Sequence, residues 1–426
     1  MGETKKTASC GIPVYAYPSD TNHSFVISFF VKSGVMYEEQ GRAGITHFLE
    51  HTVIRNVNHH MNGELYSTLD RCGLEFNAST YSEMVQFYIV GAPKHFRVAA
   101  DVISKVLLSI ELDRREIDAE RGRIKAEIRE SGEKTSLAGF TQEKVFSGTP
   151  LARQIIGTVK ELNSIGRREL EEHRARIMTR DNCFFYITGR FSPEDADYLL
   201  SLVDRYEPAE GKANSNVAEV PASFGKRDGG VYIKNADFTK LRFTFDVDMS
   251  KISVPELDLL YDVVLGGYSS DFFIEMSEKR ALFYDLSGSV ERYANIGTFS
   301  FSYELRESKL YEAISSTVAI LNRYKTNPLP KERCMKAGYV DNSPMLLDDP
   351  RELNFTFAYD NHVMDLGYSC VEHRATVYDA VTPERLAECA QEIFTLDNLT
   401  LTLKGRRKSI SEQRIRELLL PLCQKQ

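Results

Sequence analysis

Residues 207–225 break this 426-residue chain with a polar stretch, opening Glu207-Pro208-Ala209-Glu210-Gly211-Lys212-Ala213-Asn214-Ser215-Asn216. Such a run reads as a linker. The order of elements predicted before it is predicted again after it. The first part has strands at 12–17, 24–33, 75–80, 84–90 and 183–188, with helices from about 43 into the fifties and over 62–73, 95–110, 113–133, 160–178 and 193–204. The second has strands at 231–234, 241–247, 282–290, 297–304 and 399–403, with helices over 254–265, 269–280, 307–325, 330–341, onward to about 394, and at the C-terminal end. The chain is also too long for one ordinary core. Two α+β domains are expected, 1–206 and 226–426, joined by 207–225.

Composition excludes several classes. A hydrophobic share of 42% and a charged share of 27% are those of a soluble globular chain. The formal net charge of −8 argues against nucleic-acid or anionic-membrane partners. No apolar run reaches 18 residues, so no transmembrane helix is expected. Met1-Gly2-Glu3-Thr4-Lys5-Lys6 has no apolar core behind its lysines and does not read as a secretory signal or an Arg-rich transit segment. The seven cysteines are scattered, with no C-x-x-C pair. Free thiols in a reducing, cytoplasmic compartment are expected.

The chemistry concentrates in His47-Phe48-Leu49-Glu50-His51. Histidines four apart on a helix share a face one turn apart and can hold one cation. Neutral imidazole suits zinc, and a carboxylate beside a zinc-held water suits a general base. The order H-x-x-E-H is the mirror of H-E-x-x-H. A catalytic zinc needs a third protein ligand. The helix at 113–133 offers Glu116, Glu120, Glu127 and Glu130. Glu120 and Glu127, two turns apart, share a face, so one could be the ligand and the other its support; spacing does not choose. Glu116 and Glu130 read as solvated helix carboxylates. His59-His60 reads as a loop, and Asn62 as the N-cap of the next helix. His23, His95, His173, His362 and His373 have no neighbour at ligand spacing. Gly266-Gly267-Tyr268-Ser269-Ser270 lacks the lysine of a phosphate loop and reads as a turn.

The segment Gly44-Ile45-Thr46-His47-Phe48-Leu49-Glu50-His51 resembles the active-site helix of the pitrilysin, insulin-degrading enzyme and mitochondrial processing peptidase family. Ser33-Gly34 with Glu38, Gly73-Leu74-Glu75-Phe76-Asn77-Ala78-Ser79-Thr80, Pro150-Leu151 and Ile156-Gly157-Thr158 extend the likeness. So do Leu265 to Phe273 and Leu282-Phe283-Tyr284 in the second half.

The resemblance implies two homologous domains, each an antiparallel-rich sheet covered by helices, forming half of a clamshell. It implies a zinc metalloendopeptidase with one Zn2+ per chain, held by His47, His51 and Glu127, with Glu50 as general base and Glu120 positioning His51 or Glu127. Phe76, Asn77, Ala78, Ser79 and Thr80 form the implied substrate edge, with Asn77 and Ala78 holding peptide backbone. The family often carries an Arg and, seven later, a Tyr that face the metal of the opposite half. Tyr284 fits the Tyr, but the Arg position is Ser277, and Arg280 is out of register. A heterodimer with a homologous subunit supplying both residues is the expected assembly, a homodimer the alternative. Arg55-Asn56-Val57-Asn58 replaces the family's usual turn after the helix, as a loop that shapes the substrate pocket.

Overall fold

The computed structural model describes residues 2–131, 136–208, 227, 229–283, 285–293, 295–326 and 340–423. The chain forms two compact units. Unit 1 takes Met1–Gly132, Arg153–Ala218 and Pro344–His373; unit 2 takes Glu133–Ala152, Glu219–Ser343 and Arg374–Gln426. Residues 133–152 and 344–373 therefore cluster with the unit that lies across the 207–225 stretch in sequence. That stretch itself lies outside the described residues after Pro208, as does most of 330–341.

Unit 1 is built on a six-stranded sheet: β1 (Thr4–Thr7), β2 (Pro13–Pro18), β3 (Phe25–Val31), β4 (Glu75–Thr80), β5 (Val85–Gly91) and β6 (Cys183–Gly189). Their order across the sheet is β1-β2-β6-β3-β5-β4. Only β2 and β6 run parallel. β3 and β6 are buried at every residue, as central strands covered on both faces must be. The helices are α1 (Ile45–His60), α2 (Leu65–Cys72), α3 (Phe96–Ile103), α4 (Arg114–Glu130), α6 (Val159–Leu162), α7 (Arg167–Ile177), α8 (Pro193–Val203) and α11 (Pro350–Ala358).

Unit 2 has a five-stranded sheet of β7 (Gly230–Asn235), β8 (Thr239–Asp248), β9 (Leu286–Arg292), β10 (Ile296–Leu305) and β11 (Leu399–Gly405), ordered β7-β11-β8-β10-β9. Again one pair, β7 with β11, is parallel and the rest antiparallel. This is the unit 1 order without its first strand. The helices include α5 (Leu137–Val145), α9 (Val254–Leu265), α10 (Leu310–Thr326), α12 (Pro383–Ile393) and α13 (Glu412–Leu419). A π-helix over Phe272–Glu278 replaces the ordinary helix expected at 269–280.

Three local expectations need correction. Arg55–Asn58 and His59-His60 are not loops but the last turns of α1. The helix continues because its side chains find partners: Asn56 Nδ2 donates to the Ser109 carbonyl at 2.9 Å, and Asn56 Oδ1 accepts from the Glu111 amide at 2.9 Å. Asn62 does not cap α2: it sits at φ 55°, in the left-handed turn before it, and α2 starts at Leu65 after Glu64. The helix expected over 160–178 is two helices, α6 and α7.

Candidate metal centre

The start of α1 is fixed before any ligand is placed. Gly44 has φ 85° and Gly157 has φ 67°. A Cβ on Gly44 would lie 2.8 Å from the Gly157 Cα, so the two turns touch backbone to backbone and only glycine fits. Glu38, 5% exposed, reaches the same helix end: its carboxylate accepts from the Gly44 amide at 3.0 Å and the Thr46 amide at 2.9 Å. These satisfy two of the orphan N–H groups of a helix terminus. Burial nevertheless pushes the Glu38 carboxyl up to about 7, against those bonds and the Arg153 charge.

From that anchor α1 sends Ile45, Phe48, Leu49, Val53 and Val57 into the core and turns His47 and His51 the other way. α4 begins at a capping box, with Asp113 accepting from the Glu116 amide at 2.9 Å and Glu116 accepting from the Asp113 amide at 3.0 Å. Glu116 thus has a structural task, and it lies 3.8 Å from His59. Ile117, Glu120, Ile124 and Glu127 recur at helical spacing on the face of α4 that meets α1.

His47 Nε2 lies 3.7 Å from Glu127 Oε1, and His51 Nε2 lies 3.6 Å from Glu127 Oε2. Ligand atoms from the three side chains all fall within 4.8 Å of one another, the one such His/Cys/Asp/Glu group among the described residues. A tetrahedral zinc with bonds of about 2.0–2.1 Å sets its ligand atoms roughly 3.3 Å apart, so the donors fit with a small closure. Burial, then the neighbouring His51, lowers His47 to about 3, so it stays neutral with its lone pair available. Its Nδ1 is buried and without a hydrogen-bond partner.

Glu120 and Glu127, which spacing left equivalent, separate here. Glu127 faces both Nε2 atoms. Glu120, 2% exposed, faces the other nitrogen of His51, Nδ1, at 3.5 Å. Its Oε1 accepts from Arg55 Nε at 2.6 Å and from Arg123 Nη1 at 3.0 Å. Burial works to raise Glu120, but His51, Arg55 and Arg123 together hold it below its ordinary value. Burial works to lower His51, yet Glu120, Glu50 and Glu127 around it raise it overall. Sequence placed Arg55 in a pocket-shaping loop and gave it no role toward Glu120, although it stands four after His51 and so on the same face of α1.

Glu50 is 7% exposed, and burial raises its carboxyl despite the Thr80 hydroxyl, which donates to Oε2 at 2.5 Å, and the nearby His51. Thr80 ends β4, so one strand ties the base to the sheet edge. β4 is the last strand in its sheet, and no described strand pairs with its outer side. Ala78 and Thr80 point inward; Phe76 and Ser79 are half-buried, and Asn77 is exposed, its Oδ1 accepting from the Ala78 amide at 2.9 Å. A cavity of about 780 Å³ opens beside Glu50 and His51, lined also by Asn77, Arg55, Asn58 and Tyr66. The residues after His51 thus line this cavity as helix, not as loop. Ser277 lies in the π-helix of unit 2, and Arg280, in the turn after it, donates to Ser316 Oγ at 2.8 Å. Tyr284 lies outside the described residues.

With this geometry in hand, comparison with known proteins agrees on one family. Residues 14–159 match the profile of insulinase, peptidase family M16, and residues 164–337 match the peptidase M16 inactive domain. A Mycobacterium leprae protein named an uncharacterized zinc protease is 21% identical over 401 residues, 92% of this chain and 89% of that one. A Helicobacter pylori protease structure superposes with a TM-score of 0.81 at 18% identity, covering 95% of this chain and 99% of the other. The periplasmic protease PqqL of Escherichia coli superposes at 0.82 and 16% identity, with all of this chain matching 50% of that one. These two likenesses carry the fold, and the profiles, matching most of the chain, carry the membership: this protein belongs to the peptidase M16 (insulinase) family.

Proposed function

We propose that the protein is a zinc-dependent endopeptidase acting on peptides or unfolded segments, of which leader peptides are one kind. The observation that carries this reading is the convergence of His47 Nε2, His51 Nε2 and the Glu127 carboxylate beside the buried Glu50. A zinc ion held by the three side chains would supply Lewis acidity and an acidified water. Glu50 takes the proton of the attacking water and passes it to the leaving amine. Glu120 holds His51 through Nδ1, so that Nε2 stays aimed at the ligand site. A peptide adds to the outer edge of β4, its backbone held by Asn77 and Ala78 and its side chain in the adjoining cavity. Leaving a carboxylate buried at Glu50 is costly and serves no packing purpose, which favours turnover over a scaffold role. The description "inactive domain" attaches to residues 164–337, which hold none of these side chains. On the sequence grounds given above, the reading places the protein in the cytoplasm.

Purified, zinc-loaded protein should cleave a mixed peptide library. Glu50→Gln should keep its zinc and lose roughly 10²–10⁴ in kcat. Near-normal turnover by the zinc-loaded variant would contradict the assignment.

The same reading includes a second, homologous subunit that completes a chamber and supplies an Arg and a Tyr to the substrate carbonyl. Serine at 277 has neither the charge nor the reach of a guanidinium. The match of the whole chain to half of PqqL supports a two-part assembly. Adding the product of an adjacent homologous gene should raise activity; full activity of the chain alone, unchanged by that addition, points to the homodimer instead.

A further inference from the structure

The sheet of unit 2 carries a row of like charges. Lys404 on β11 lies opposite Lys234 on β7 and, on its other side, opposite Lys240 on β8. Three ammonium side chains therefore stand abreast on neighbouring strands, about 4.8 Å apart at the backbone. They share the side of the sheet opposite Leu399, Leu401 and Leu403, next to α5, which already covers Thr402 on that side through Thr141 and sets Phe140 against Lys234. Like charges directly opposite one another destabilise a sheet. Arg242, two residues after Lys240, lies further along the same side beneath α5, where its guanidinium donates to the hydroxyls of Ser289 at 3.0 Å and Ser300 at 2.6 Å, so it is not part of the exposed row. Burial, then Lys234 and Lys240, lowers Lys404.

Aromatic rings frame the row. Lys404 Nζ stands 5.7 Å over Phe238, and Lys144 Nζ stands 6.0 Å over Tyr232. Phe238 is 45% exposed and Tyr232 40%. β11 then runs into Arg406, Arg407 and Lys408, all exposed. That segment is stitched to the β7–β8 turn by the Ala236 amide on the Gly405 carbonyl, 3.0 Å, and the Arg407 amide on Asn235 Oδ1, 3.3 Å. In a chain of net charge −8, so many cations at one end of one sheet form a field of the opposite sign.

We propose that this face docks an acidic peptide segment, an extended run rich in Asp and Glu, by charge complementarity. The row changes sign at its end, where Glu304 on β10 lies opposite Lys240, and Asp237 is exposed in the adjoining turn. Beside it the hydroxyls of Ser287 and Ser289 on β9 pair with Ser302 and Ser300 on β10, the latter two buried, so they are already satisfied. A face patterned in sign suits a peptide with a definite sequence better than a uniformly anionic membrane. The overall negative charge disfavours a polynucleotide.

The test is fluorescence anisotropy of the full chain with a fluorescein-labelled peptide of alternating Glu and Ser. Binding is expected at low salt and should weaken at high salt. The double variant K240Q/K404Q should bind roughly tenfold more weakly, the effect of two partly exposed ion pairs. Unchanged peptide binding in the double variant, whatever its melting temperature, overturns the proposal. So does tighter wild-type binding to phosphatidylserine vesicles or to oligothymidylate than to the peptide.

Discussion

The two sheets follow one strand order, but the helix after the second core strand is used differently in each. In unit 1, α1 follows β3 and buries Thr46, His47, Glu50, Thr52 and Asn56 among its apolar residues. In unit 2, α9 follows β8 and buries Leu257, Leu259, Leu260, Val263 and Val264. Its one buried acid, Asp258, is answered by Arg292 at 3.2 Å and the Tyr378 hydroxyl at 2.7 Å. The fold therefore does not require the polar helix; α9 occupies the matching place on packing alone. The polar residues of α1 are an added expense of stability, and what they gain is a cluster of donors. The outer sheet faces differ in the same sense. In unit 1 it is aromatic, with Phe30 stacked on Phe184 at 5.0 Å, and in unit 2 it is hydroxyl-rich, with a row of three lysines at one end.

The contrast can be sharpened first on the packing side. Leu257 of α9 is fully buried, so Leu257→Ala should cost about 2–5 kcal/mol in denaturant unfolding followed by circular dichroism. Zinc content and turnover per folded molecule should stay at the wild-type level. A loss of zinc instead would mean that unit 2 contributes to the centre. A smaller effect is expected at the head of α1. The Glu38 carboxyl rises to about 7 in the folded protein from an ordinary 4.5. A raised carboxyl binds its proton more tightly when folded, so its contribution is full below about pH 4.5 and is lost as pH rises to about 7. Glu38→Gln cannot titrate, and its stability between those values should fall less steeply than that of the wild type, by on the order of 1–2 kcal/mol across the window. Parallel pH–stability curves for the two proteins would remove Glu38 from the account.

What could be read from sequence was what is local. The H-x-x-E-H turn, the helix that carries it, the central strands and the polar break are all written in short stretches. The choice between Glu120 and Glu127 was not, because residues two turns apart share a face; only the orientation of the His51 ring, with Nε2 toward Glu127 and Nδ1 toward Glu120, distinguishes them. The resemblance to a family named Glu127, whose carboxylate is the one that lies near both Nε2 atoms. Arg55 carried a local signal, its spacing from His51, that a search for metal ligands does not weigh. β1 carried none: Thr4-Lys5-Lys6-Thr7 is exposed throughout and is a strand because β2 pairs with it. α5 was missed because its buried positions, Leu137, Thr141 and Val145, include a threonine whose hydroxyl meets that of Thr402 on β11. The grouping of 133–152 with unit 2 and of 344–373 with unit 1 depends on contacts far apart in sequence, which no local pattern records.

On the proposed reading His47, His51 and Glu127 together hold the metal, and Glu120 stands outside the ligand set. The most direct test is elemental analysis of wild type, Glu127→Gln and Glu50→Gln after dialysis against zinc. One zinc per chain in the wild type and in Glu50→Gln, with a clear loss in Glu127→Gln, is the expected result, since a neutral amide oxygen is a poorer ligand than a carboxylate. Full occupancy in Glu127→Gln would contradict it and move the third ligand elsewhere, to Glu120 first.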